Sequence, residues 1–148
     1  MRRPHEIDSL DDYIERGQVR EENKDPSQAR SLLKRSKSKF QTMEKLGIDE
    51  DTATDYLENV YEACKMLLQS LMAAEGLKPY SHEAVIAYAI DELDLDMVNS
   101  NTLNRYRKLR NDIAYRGEIA TPEEAENIKQ LYQELKPELE PQIQEELE

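Results

Sequence analysis

Cysteine occurs once in this chain, at Cys64. With no second thiol an intrachain disulfide cannot form, and thiolate metal sites, which need several cysteines, are excluded. Cys64 is expected to be a small buried apolar side chain rather than a nucleophile, and the chain to be intracellular. The four glycines, Gly17, Gly47, Gly76 and Gly117, are isolated from one another. That excludes a glycine-rich loop cradling phosphates, and each glycine instead reads as a helix stop. The histidines are His5 and His82, and neither follows a glutamate by three residues. The paired Glu-x-x-His motifs of di-iron helical bundles are therefore missing, and neither a metal nor a cofactor is expected. No apolar run approaches the roughly 20 residues that span a bilayer. The opening Met1-Arg2-Arg3-Pro4-His5-Glu6 lacks an apolar signal region, so a cytoplasmic protein without membrane contact is expected.

What is abundant is charge. Charged residues make up 35% of the 148 positions and hydrophobic ones 38%, with one phenylalanine and no tryptophan. Such a composition suits one domain of long helices better than a sheet protein, and the length is enough to bury a core without staples. The formal net charge is -12. An acidic balance argues against a helix-turn-helix reader of DNA, which presents a broad basic face to phosphates. The charge is also unevenly placed. Between Glu118 and Glu148 ten glutamates face only Lys129 and Lys136, whereas Arg30 to Lys45 holds six bases against Glu44.

Helix boundaries are marked by capping residues. Asp25-Pro26-Ser27-Gln28 and Thr121-Pro122-Glu123-Glu124 each offer a cap, a proline at the first helical position and a polar or acidic residue beyond it. After the first, Ala29, Leu32, Leu33, Ser36, Phe40, Met43 and Leu46 recur at three and four, which predicts an amphipathic helix ended by Gly47. A helix from about Asp51 to Glu75 carries the widest apolar stripe (Leu57, Val60, Tyr61, Cys64, Leu67, Leu68, Leu71, Met72) and should be central. Ser81 is placed to cap a short helix through Val85, Ile86, Tyr88, Ala89 and Ile90, and the acidic run Asp91 to Asp96 follows as a loop. Leu103, Tyr106, Leu109 and Ile113 define a further helix, and Ala125, Ile128, Leu131, Tyr132 and Leu135 the last, which Pro137 and Pro141 are expected to end or kink. The expected fold is all-α, an up-and-down bundle of about five helices plus a short N-terminal one. Residues 1–26 form an arm with a short, weakly attached helix (Ile7, Leu10, Tyr13, Ile14), 27–136 the bundle and 137–148 an acidic tail. No alternating, strand-like segment and no internal repeat is found.

One stretch suggests chemistry. Between Arg105 and Gly117 five bases (Arg105, Arg107, Lys108, Arg110, Arg116) crowd against one acid, Asp112. Bases near a helix end complement its dipole, and the ridge Lys108, Asp112, Arg116 reads as ordinary surface pairing. The parallel ridge Arg107, Asn111, Tyr115, at i, i+4 and i+8, stacks a cation, an amide and a phenol on one side. His82, in the first turn of its helix, reads as a partly exposed residue packed on the preceding loop. A proton-shuttling role would need a neighbouring basic group that spacing cannot reveal.

The helix after Ser27, the segment Tyr61-Glu62-Ala63-Cys64-Lys65, the turn Gly76-Leu77-Lys78-Pro79-Tyr80-Ser81-His82 and the run Arg110-Asn111-Asp112-Ile113-Ala114-Tyr115 together resemble the HEPN family over residues 27–136. The resemblance implies a helical bundle that pairs as a homodimer. In many members it also implies metal-independent endoribonuclease activity, through an Arg followed by a polar residue and, after four to six intervening positions, a His. Arg110 and Asn111 match the first two. Tyr115 stands where the His is expected, followed by Arg116 and Gly117. A free tyrosine titrates near about 10 and is a poor base at neutral pH, so catalysis is expected to be weak or lost while binding of RNA or a nucleotide phosphate persists. The candidate catalytic residues are then Arg110, Asn111 and Tyr115, and the candidate phosphate-binding cations Arg107, Arg110 and Arg116. Arg110 and Tyr115, five residues apart, point about 140° from one another on an ideal helix, so a composite cleft across a dimer axis is part of what the resemblance implies. It further implies a toxin-antitoxin setting with a nucleotidyltransferase partner, for which Tyr115 would be a displaced acceptor of AMP. The alternative is a noncatalytic helical module for protein-protein interaction.

Overall fold

The computed structural model describes residue 4 and residues 6–148. His5 and the segment 1–3, part of the opening read above as lacking a signal region, lie outside the described residues. Six helices and one small sheet follow in order: α1 Leu10–Glu15, β1 Val19–Glu21, α2 Pro26–Leu46, α3 Ala53–Glu75, β2 Leu77–Pro79, α4 His82–Leu93, α5 Met97–Arg116 and α6 Pro122–Leu147. The chain is an all-α bundle of five main helices behind a short first one.

The caps act as the side chains dictate. Asp25 accepts from the Gln28 amide at 3.0 Å, and Ser81 from the Ala84 amide at 3.2 Å. Thr121 and Glu124 close a reciprocal capping box. At the other ends, Gly47 follows α2, while Gly76 and Gly117 take left-handed conformations after α3 and α5.

Helix α3 is central. Its buried residues run from Ala53 through Leu57, Val60, Tyr61, Cys64, Leu67, Leu68, Leu71 and Met72 to Ala74, so nearly its whole circumference is covered by neighbouring elements. Small residues let α2 approach it closely, and buried hydroxyls join the two backbones in both directions. Ser36 Oγ donates to the Ala63 carbonyl and Ser70 Oγ to the Ala29 carbonyl, each at 2.7 Å. These bonds satisfy hydroxyls that would otherwise be stranded in the core. Cys64 is fully buried, and burial pushes its thiol well above the ordinary range.

Several features depart from the sequence reading, among them α4, which runs on through Asp91, Glu92 and Leu93 of the acidic run expected as a loop. The N-terminal segment is firmly attached: Ile7, Leu10, Tyr13 and Val19 all enter the main core. β1 also pairs antiparallel with β2, Val19 opposite Pro79 and Glu21 opposite Leu77. These strands escape periodicity because each is three residues long, too short to show an alternating pattern. Finally, α6 does not end at Pro137. It runs to Leu147 with Pro137 and Pro141 inside it, because Leu135, Leu139 and Ile143 continue a buried stripe that outweighs the lost amide bonds.

The junction of arm and bundle turns on one glycine. Gly76 has φ +86, and a Cβ added there would lie 2.5 Å from the Glu22 carbonyl oxygen, which is backbone and cannot swing aside. Gly76 O in turn accepts from the Glu22 amide at 2.7 Å. Gly76→Ala is expected to destabilise the protein by about 2 kcal/mol or more, measured by chemical denaturation. Gly117→Ala, also at positive φ (+71) but with open space around it, should cost less.

Candidate anion-binding site

Helix α5 packs on α3 and α4 through Leu103, Tyr106 and Ile113, all buried. Arg110 comes four residues after Tyr106 and three before Ile113, so it projects from the core-facing side of α5 near its C-terminal end. The residue is half-buried. The other bases of this run have engaged partners. Arg105 donates to the Tyr106 hydroxyl at 2.9 Å. Arg107, its side chain 11% exposed, bonds Asn104 at 3.0 Å and pairs with Glu83 of α4 at 3.3 Å. Lys108 pairs with Glu6, and exposed Arg116 stands 3.9 Å from Asp112. Arg110 forms no hydrogen bond or ion pair with any described residue.

The groups of α3 and α4 that feel its charge are Tyr61 and His82. Lys65 of α3 has a side chain only 12% exposed and pairs with Glu62 at 2.8 Å. Lys65 Nζ also lies 3.2 Å from His82 Nε2, at the first turn of α4. An ammonium can only donate, so His82 accepts on Nε2 and is a neutral imidazole in this arrangement. The Tyr61 ring packs beside it, centroids 6.1 Å apart and planes 26° apart. Burial lowers the His82 pKa below the usual histidine value, and Lys65 and then Arg110 lower it further against the weaker opposing pull of Glu62 and Glu83. Burial raises the Tyr61 phenol, while Arg107 and Arg110 pull it down.

No protein-family model, curated protein or solved structure matches this chain.

The candidate residues named from sequence therefore separate into two groups. Arg110 and Arg107 face the α3–α4 side, with Arg107 already held by Glu83. Tyr115 is 81% exposed and projects away from that cluster, and Arg116 is exposed beside Asp112. Asn111 is half-buried between the two directions. Sequence reasoning did not assign Lys65 to the site and left His82 without a partner. Their 17-residue separation across a turn carries no periodic signal, and only the α3–α4 packing brings them together. Among the described residues no group of three or more His, Cys, Asp or Glu is placed to hold a metal ion.

The electrostatics have a measurable consequence. A histidine whose folded pKa is depressed stabilises the fold above its unfolded value, and that contribution is lost as pH falls and protons bind the unfolded chain preferentially. Wild-type stability should decline as pH drops below about 6.5, the ordinary histidine value. His82→Gln should show a shallower decline over the same window in parallel denaturant titrations.

Proposed function

We propose that this protein is a HEPN-like binder of RNA or nucleotide phosphate groups, with Arg110 as its principal anion contact and with ribonuclease chemistry weak or lost. The observation that carries this reading is a half-buried guanidinium with no hydrogen-bond or ion-pair partner among the described residues, on a helix whose Arg107 and Lys108 are paired with carboxylates and whose Arg110 is felt by His82, itself 3.2 Å from Lys65. A planar guanidinium in that state is suited to grip a phosphate through two parallel hydrogen bonds. Support for the family comes from the five-helix architecture and from the order of the Tyr61–Lys65, Gly76–His82 and Arg110–Tyr115 segments along it. Loss of catalysis is part of the proposal because a phenol, at Tyr115, stands where the general base is expected, and a phenol is a poor base at neutral pH.

A cytoplasmic setting and a homodimer belong to the same proposal. No described helix is long and apolar enough to cross a membrane. Tyr115 and Ile119, 81% and 78% exposed, place two large apolar groups at the C-terminal end of α5, where a second copy would cover them. Those same groups favour the second reading, a noncatalytic interaction module in which α5 serves only a protein contact. The nucleotidyltransferase partner of a toxin-antitoxin pair is carried by the resemblance alone.

Salt-dependent binding separates the readings. Arg110→Ala should weaken single-stranded RNA binding about 10- to 100-fold at low ionic strength, the worth of a charge-assisted contact. It should also reduce the slope of log affinity against log salt by about 0.7. Arg116→Ala should change affinity little. Unchanged RNA binding in Arg110→Ala, or no binding of RNA by the wild type, would reject the anion reading, and a change confined to oligomeric state would select the module.

A further inference from the structure

Three helices bring an excess of positive charge to one half-buried place. From α3 come Tyr61, Glu62 and Lys65, from α5 Arg107 and Arg110, and from the first turn of α4 His82 and Glu83. Three cations face two carboxylates there, which leaves one positive charge while His82 is neutral and two once it binds a proton. The N-terminal end of α4 adds its own partial positive charge. With neutral His82, Nε2 and Lys65 Nζ satisfy each other at 3.2 Å. With protonated His82, two like charges meet at that distance, and an anion between them would relieve the repulsion.

We propose that Lys65, His82 and Arg110 form a proton-linked receptor for a doubly negative phosphomonoester, so that the terminal phosphate rather than the internal phosphodiester is the group recognised. This rests on the reading of Arg110 as an anion contact and adds to it the ligand's chemical class and its coupling to pH. A phosphodiester carries one negative charge and matches the cluster with neutral His82. A terminal phosphate carries between one and a half and two at neutral pH and matches the protonated cluster. Binding the dianion draws a proton onto His82, and the proton tightens the dianion, because the two ligands act on one electrostatic balance. Lys65 turns from Nε2 to a phosphate oxygen, His82 donates from Nε2 to another, and Arg110 closes the site from α5.

The test uses the full-length protein and sulfate, which keeps two negative charges across the histidine range and so removes the ligand's own titration. In an NMR titration the His82 imidazole should have a midpoint below that of an ordinary histidine without ligand, and saturating sulfate should move it upward. Sulfate affinity should rise as pH falls from about 7.5 to about 5.5, by up to about tenfold per unit where one proton is taken up. His82→Gln should lose that dependence, with sulfate affinity no higher near pH 5.5 than near pH 7.5. An oligoribonucleotide with a 5′-phosphate should bind about tenfold more tightly than its 5′-hydroxyl counterpart, the scale of one added charge-assisted contact. Adenosine 5′-monophosphate binding as well as the phosphorylated oligonucleotide would assign the phosphate to free nucleotides, and far weaker binding would assign it to RNA ends. Both support the dianion site. RNA binding that depends on Arg110 but shows no preference for a terminal phosphate and no His82 response to sulfate overturns this inference and leaves the broader anion reading standing. Loss of all Arg110-dependent binding overturns both.

Discussion

The enclosure of α3 is the constraint from which the rest follows. A helix covered on nearly every side must find a partner for each polar atom it carries inward, because an unpaired buried group costs more than a hydrogen bond returns. Ser70 meets that demand through the Ala29 carbonyl, Ser36 of α2 reaches back to Ala63, and Cys64 remains a protonated thiol with no charge to solvate. The exchange of hydroxyls between α2 and α3 sets their spacing, and α6 then closes over both. Where α3 approaches the surface, Glu62 and Lys65 emerge beside buried Tyr61 toward α4 and α5, so the candidate site is the edge of the same packing arrangement.

That origin accounts for the site's electrical character. Lys65 is held against the protein surface with little exposure and takes Glu62 and His82 as partners because both stand within reach of a side chain that α3 keeps in place. Arg107 is neutralised by Glu83 across the α4–α5 contact. Arg110 lies one turn nearer the end of α5, with no described carboxylate bonded to it, and its charge lowers the proton affinity of His82 and, with that of Arg107, of Tyr61. A localised surplus of positive charge on a body of net charge -12 arises from this arrangement of pairs and not from a basic surface at large.

Local chemistry made much of the helical framework readable. Asp25, Ser81 and Thr121 mark starts because their side chains accept amide protons that a helix leaves free, and Gly76 and Gly117 mark ends because a left-handed residue favours glycine. The same reasoning expected Pro137 and Pro141 to end or kink α6, which runs on to Leu147. It weighed Pro137 as a local breaker, whereas Leu139 and Ile143 beyond it are held by burial against distant parts of the chain. It also left the N-terminal arm loose, since the pairing of Val19–Glu21 with Leu77–Pro79 joins segments more than fifty residues apart.

Within the site the division is sharper. The amino-acid order carried the identity of Arg110, its amide neighbour Asn111, and the tyrosine at position 115, together with a helical spacing that sets Arg110 and Tyr115 about 140° apart. That Arg107 and Lys108 are paired with carboxylates while Arg110 has none among the described residues was not written there, for the three look equivalent until Glu83 and Glu6 take two of them. Nor was the contact between Lys65 and His82. Caps, stops and faces depend on residues within one or two turns, and a linear reading holds all of them. Charge pairing and proton affinity depend on groups that only packing brings within a few ångströms, and these were settled when α3, α4 and α5 closed on one another.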